Sequence, residues 1–298
     1  MDIEKEPAKP RWGQERRLAF IDLRLQYDGK VNRKDLQGFF GISIPQASAD
    51  LDLYKQKAGS NLIYDGSARA YVAEPDFSPI TGRSAAASYL DELYRLASGL
   101  VSPDETFVGF VPPIGVVATP VRDIHAGEVA TLVRAIRDKK ALAVVYQSMN
   151  SDDPVERVIT PHALGFDGLR WHMRAWCHQR RAFRDFAIGR TEVVGEVEDM
   201  ATVDPADDVG WTTTVEIILV PHPKLSESQR AAVMRDYGMK DGRYLLSCRK
   251  AMVFYTLRHL NLESPVIQER AAAQHVVVAN RSEVERWMAE DRALTPAT

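Results

Sequence analysis

Three short apolar stripes at helical spacing lie in the first quarter of the chain, cut apart by Asp28-Gly29 and Gly41 and followed by an Asp65-Gly66 dipeptide. That punctuation leaves few folds open. Leu18, Ile21 and Leu25 put one apolar side on a helix over 11–27. Asn32 is a good N-cap for a second helix whose Leu36, Phe39 and Phe40 face inward, and Gly41 closes it. Ser43 and Gln46 make an S-x-x-Q capping box for a third helix with a buried stripe of Ala47, Leu51 and Tyr54. Gly59 stops that helix. The run LIYDGSARAYVA then holds two β-rich segments around Asp65-Gly66, a two-residue hairpin signal. Three helices, a sharp FGIS turn between the second and third, and a hairpin form the pattern of a winged helix-turn-helix.

In that pattern the third helix enters the major groove by its N-terminal residues, here Ser43, Ile44, Pro45, Gln46, Ser48 and Ala49. Gln46 is the best base reader, because its amide can pair twice with adenine, although capping competes for it. Arg11, Arg16, Arg17, Arg33, Lys34, Lys55 and Arg69 are the phosphate candidates. Residues 1–75 hold twelve basic and eleven acidic side chains, and Asp50 and Asp52 lie on the third helix itself. One module should therefore bind weakly, which predicts a homodimer on a palindromic double-stranded operator. The alternative is a three-helix protein-interaction module.

The 298 residues suggest two or three domains. Tyr89, Leu93, Leu96 and Leu100 predict a helix over 84–100, and Val129, Leu132, Val133 and Ile136 another over 127–138. Between them 101–120 is Pro-rich and irregular, yet apolar enough to pack. Strands are expected near 142–149, 157–165, 170–178 and 184–194, with a tight turn at Asp167-Gly168. After an acidic linker over 199–210, the order strand 213–220, helix 226–237, strand 243–248, helix 249–261, strand 275–279, helix 282–290 suggests a ferredoxin-like α+β sandwich. The two cysteines form no CxxC, so a reducing compartment is expected. No apolar run approaches the ~20 residues that span a bilayer, and the charged N-terminus has no apolar core of a signal peptide. These features predict a soluble cytoplasmic protein without membrane contact.

The chain carries a net charge of -3, yet 170–190, RWHMRAWCHQRRAFRDFAIGR, holds six arginines and a single acid, Asp185. Aromatic and aliphatic residues alternate with the charges, as in an ordered phosphate- or carboxylate-binding surface. Strand alternation puts His172, Arg174, Trp176 and His178 on one face, and Arg184, Phe186, Ile188 and Arg190 on one face of the next strand. Arg174, Arg184 and Arg190 can then converge with Tyr146, Ser148 and His162: phosphates on arginine, a base on an aromatic ring. The plainer reading pairs several of these arginines with Asp167, Asp185 or Glu192. Arg170, Arg180 and Arg181 read as turn or surface residues.

This stretch, with ERVITPHALGFDG before it, resembles the WYL domain of bacterial transcription regulators. Trp171-His172-Met173 stands at the name-giving triplet. Pro161-His162, Asp167-Gly168, Trp171, Cys177 and the run from Arg184 through Phe186 to Arg190 carry the match. Over nearly the whole chain the order is similar to the BrxR/CapW-like dimeric regulators of BREX and CBASS antiphage defence operons. The resemblance implies an α+β multidomain chain: a winged helix over 1–76, a helical linker and dimerisation region over 77–126, an Sm-like β-barrel WYL domain over 127–200, and a C-terminal WCX domain over 211–298. It implies a ligand-responsive repressor whose WYL domain senses a nucleotide or nucleic acid at Tyr146, Ser148, His162, His172, Arg174, Arg184, Phe186 and Arg190, with no catalytic role, metal or cofactor. Two other readings stand beside it: a nucleotide- or nucleic-acid-processing enzyme with His162 or His172 as general base, and an RNA-binding module.

Overall fold

A computed structural model describes residues 12–82, 85–198, 203–265 and 270–293. Arg11 lies outside them. The chain divides into two compact units, 1–118 and 119–298.

The first unit runs α1 (Trp12–Asp28), β1 (Lys30–Val31), α2 (Arg33–Phe40), α3 (Ile44–Lys57), β2 (Leu62–Asp65), β3 (Ala70–Ala73) and α4 (Ala86–Ala97). α1 is buried more broadly than one stripe predicts, because Leu18, Ala19, Phe20, Ile21, Leu23 and Leu25 all lie in the core. Asn32 caps α2 in a full capping box with Asp35, and Gly41 ends it at φ 63. Ser43 caps α3, but the Gln46 side chain does not return to the cap; its amide donates to Asp50. The two-residue turn expected at Asp65-Gly66 is replaced by a wider loop. Asp65 accepts from the backbone of Ser67 and Ala68, and Arg69, at φ 52, takes the left-handed position. The alternation gave no sign of β1, which pairs with β3 to complete a sheet of order β1-β3-β2.

Two acids, the buried Asp22 and the half-buried Glu92, tie the following segment to this body. Asp22 accepts from Tyr54 Oη at 2.5 Å and from the backbone of Ile80 and Thr81. Burial and the Asp22 carboxylate push the Tyr54 phenol above its ordinary pKa. Glu92 on α4 accepts from Thr106 Oγ1 and Phe107 N. Phe107 packs edge-on against Phe20, Phe39 and Phe40 in the core. The Pro-rich segment therefore packs at Thr106–Val108, while Phe110, Val117 and Val121 stay exposed.

The second unit begins with α5 (Ala126–Asp138), followed by β4 (Ala141–Tyr146), β5 (Val155–Phe166), β6 (Trp171–Cys177), β7 (Ala182–Ala187) and β8 (Thr191–Val197). The single strand expected over 184–194 is broken by a 3-10 turn at Ile188–Arg190, which carries the chain from one sheet edge to the other. The order β7-β6-β5-β4-β8 is open: β7 and β8 are not paired, so the expected barrel is not closed. The sheet is nevertheless strongly curved. Tyr146 on β4 and Phe186 on β7 have ring centroids 5.0 Å apart, whereas three strand spacings in a flat sheet would separate them by ~14 Å. Leu132 and Ala135 of α5 fill the concave face with Leu142, Ile159, Met173, Ala175 and Phe186.

The remainder is α6 (Val209–Thr212), β9 (Thr214–Pro221), α7 (Glu227–Asp236), β10 (Tyr244–Arg249), α8 (Val253–His259), β11 (Val276–Val278) and α9 (Arg281–Ala293). The element order follows the sequence pattern, but the ferredoxin-like topology does not. Among the described residues the sheet has three strands, β10-β9-β11, with β9 antiparallel to both neighbours. Ile217, Leu219, Val253, Leu257 and Val284 form its core.

Candidate functional site

Two surfaces carry the residues singled out in the sequence. The first is the exposed start of α3, where Ile44, Pro45 and Gln46 face solvent. Asp50 does not oppose an anion there. It is fully buried, and Arg17 neutralises it through Nε at 2.6 Å and Nη2 at 3.2 Å. Arg17, expected on phosphate, is thereby half-buried and turned to Asp50, because a buried carboxylate needs a charged partner. Arg33 is likewise engaged, donating to Ser48 Oγ at 2.8 Å and Tyr71 Oη at 3.4 Å. Arg16 is exposed and stands over the Phe107 ring. Lys55 on α3 and Arg69 in the wing loop are also exposed.

The second surface is a cavity of about 380 Å³ at the β7 edge of the curved sheet. It collects Tyr146, Ser148, Arg174, Arg184 and Phe186 of the expected set, and adds Arg157, Arg180, Asn150, Asp185 and Tyr255. Cross-strand register corrects the alternation argument. Arg174 lies opposite Asp185, and Arg184 lies opposite Ala175, so the two arginines sit on opposite faces of the sheet. Both reach the cavity because β7 is an edge strand and the cavity takes residues from both of its faces. Burial, with the Arg180 and Arg157 guanidiniums nearby, lowers the Arg184 pKa. A site that concentrates positive charge at such a cost is suited to an anion.

Arg190 is not among the lining residues. It sits in the 3-10 turn, outside the strand pairing, with its guanidinium 5.7 Å from the Tyr146 ring centroid. His162 and His172 are also absent from the lining. His162 is the extra residue of a β-bulge between Pro161 and Ala163, and the bulge turns its Nε2 toward Asp208 at 2.9 Å. His172 Nε2 meets Asp167 at 2.9 Å, and its ring packs on Tyr255. Hydrogen bonds from His172 and the backbone of Leu169 and Arg170 outweigh burial and lower the Asp167 pKa. Neither imidazole is placed for general-base work on a molecule in the cavity.

Asp208 lay in what the sequence read as an acidic linker. It is 1% exposed and lies against Arg174, accepting from Nε at 2.8 Å and Nη2 at 3.0 Å. Burial alone would raise its pKa; hydrogen bonds from His162 and Arg174, the Arg174 charge and the Trp211 amide bring it down to about 2. The only local signal was an N-cap acid ahead of a short helix. Among the described residues no cluster of His, Cys, Asp and Glu suits a metal ion, and no helix is long and apolar enough to cross a membrane.

Comparison with known proteins matches three families in chain order. The BrxR transcriptional regulator winged helix-turn-helix domain covers residues 13–95, the WYL domain 127–194, and the BrxR transcriptional regulator C-terminal dimerization domain 214–284. The chain is 63% identical over 285 residues to the DNA-binding transcriptional repressor CapW of Stenotrophomonas maltophilia, spanning 96% of this chain and 95% of that one. It is 42% identical to CapW of Pseudomonas aeruginosa, over 92% and 91% of the two chains, and 40% identical to CapW of Escherichia coli, over 95% and 94%. Proteasome accessory factor B/C of Arthrobacter aurescens aligns at 14% identity and TM-score 0.24, over 99% of this chain and 52% of that one, too distant to bear on function.

Proposed function

Since the chain belongs to the CapW family of transcriptional repressors, we propose that it represses transcription as a dimer on operator DNA, and that an anionic nucleotide or nucleic acid in the β7 cavity relieves the repression. The observation that carries the DNA reading is the Arg17–Asp50 pair. It neutralises Asp50 on α3 and leaves Gln46, one turn before it, exposed. The matching C-terminal dimerization family supports a dimer. The antiphage defence operon is the regulated target by family analogy. The functional divisions are the winged helix over 1–76, the connector over 77–126, the sensor over 127–200 and the C-terminal domain over 211–298.

For the ligand, Arg184 with its neighbours Arg157 and Arg180 would hold phosphate, and the half-buried Tyr146, backed by Phe186, would stack a base. Repression is relieved only if the ligand binds the DNA-competent and DNA-released dimers with different affinity. The test is a mobility shift on the DNA upstream of the gene across a salt series. The expected log–log slope reports several phosphate contacts, and a scrambled duplex binds at least ~10³-fold more weakly. Equal binding of both duplexes at every salt concentration would remove operator recognition from the account.

A further inference from the structure

The cavity that gathers Arg157, Arg174, Arg180 and Arg184 also holds one carboxylate among its described lining residues, Asp185. In an anion site that acid is a liability unless it has another task. Asp185 is the weakly held end of a chain of contacts. Its Oδ1 accepts from Arg174 Nη1 at 3.3 Å and its Oδ2 from Tyr255 Oη at 3.2 Å. The other side of Arg174 is held more closely by Asp208, which also accepts from His162 Nε2 and from the Trp211 amide at the start of α6. Tyr255 belongs to α8. The chain therefore runs from the sensor sheet into the C-terminal domain along two branches, through Asp208 to α6 and through Asp185 to α8.

Resting on the reading of the cavity as an anion site, we propose that Asp185 is the ligand-responsive point of this joint: an anion bound at Arg184 displaces Asp185 from Arg174 Nη1 and thereby loosens Tyr255 and α8 from the sheet. The distances set which contact yields. Nη1–Asp185, at 3.3 Å, is longer than either bond from Arg174 to Asp208, and those paired bonds stay closed and keep Arg174 in place. The incoming negative charge repels Asp185, which lines the same cavity as Arg184. Tyr255 then loses the acceptor of its half-buried hydroxyl, which frees α8 to shift. Arg174 and Tyr255 are positioning residues in this scheme, and Asp185 sets the threshold.

The full-length protein is tested with a labelled four-nucleotide oligothymidylate. Affinity is read by anisotropy, and hydrogen exchange over 253–259 is followed with and without the probe. The wild type should bind, Arg184→Ala should bind ~10-fold more weakly, and the probe should raise exchange in α8. Asp185→Asn should bind ~5-fold more tightly. Asp185→Asn and Tyr255→Phe should both show raised α8 exchange before any probe is added and little further response. Tyr255→Phe keeps the ring against His172 and carries the test by itself if Asp185→Asn fails to fold. Arg184-dependent binding with unmoved α8 exchange, or unchanged affinity in a folded Asp185→Asn, overturns the joint and leaves the anion site standing. No binding, or binding indifferent to Arg184, overturns both.

Discussion

Arg174 and Asp208, 34 residues apart, meet through two parallel hydrogen bonds in a site that is almost closed to water. Such a pair contributes little against an apolar pair of the same shape, but either half alone is costly. Asp208→Ala should destabilise the second unit by ~3 kcal/mol, read as a lower urea midpoint. The folded pKa of about 2 lies below the ordinary 3.8, so the stabilisation is complete above pH ~4 and is lost as pH falls toward 2. The wild type should lose ~2 kcal/mol across that window. In Asp208→Asn that acid-dependent component should be missing; an unchanged slope would mean that other carboxylates govern it.

Arg17 predicts a separation of stability from recognition. Arg17→Ala leaves Asp50 buried without its charged partner, which should cost ~3 kcal/mol and lower the thermal midpoint of the winged helix. Replacing both, Arg17→Met with Asp50→Leu, should restore most of the stability. A single variant that unfolds no earlier than wild type would place Asp50 in water, contrary to its burial.

The exposed side of α3 and the wing should divide by function. Gln46→Ala should relax discrimination at one base pair by ~1–3 kcal/mol, seen in a duplex panel with single substitutions. Lys55→Ala and Arg69→Ala should weaken all duplexes alike and reduce the salt slope by ~1 each. A uniform loss for Gln46→Ala would assign it to helix geometry, through its hydrogen bond to Asp50, and not to base reading.

Gly168 turns the chain between β5 and β6 at φ +92, and a Cβ there would stand 2.3 Å from Nδ1 of His259, just past Leu257 on α8. Gly168→Ala should destabilise by ~2 kcal/mol, part from the left-handed backbone and part from the contact. Adding His259→Ala should recover the contact part only. Full recovery in a chemical denaturation series would show that the backbone carries no strain.

The helices of the first unit were legible because their caps and stripes are local. Asn32, Ser43 and Gly41 mark their ends, and Ala47, Leu51 and Tyr54 the buried side of α3. β1 was not, since two residues make no period. In the sensor sheet, the strands were legible, but which residues share a face was not. Alternation within one strand is silent about register against the next, and a one-residue offset moved Arg184 to the face opposite Arg174. His162 was misdirected by a bulge, and Arg190 by a turn inside what reads as one strand. Asp208 and Tyr255 reach the site only through tertiary structure, from segments that read as linker and helix. The surplus of arginine over acid in 170–190 was real in sequence, and distant carboxylates partly balance it in space.

The anchoring of Ile80 and Thr81 by Asp22, and of Thr106 and Phe107 by Glu92 and the aromatic core, sets a mechanical length. By composition the connector runs over 77–126. By attachment much of it is held to the DNA-binding body, α4 included, and Phe110 N adds a further hydrogen bond to Asp28 at the end of α1. Within the first unit, α4 and the Thr106–Phe107 stretch are therefore fastened to the same body as α1 and α3, and the free length of the connector is shorter than its sequence suggests.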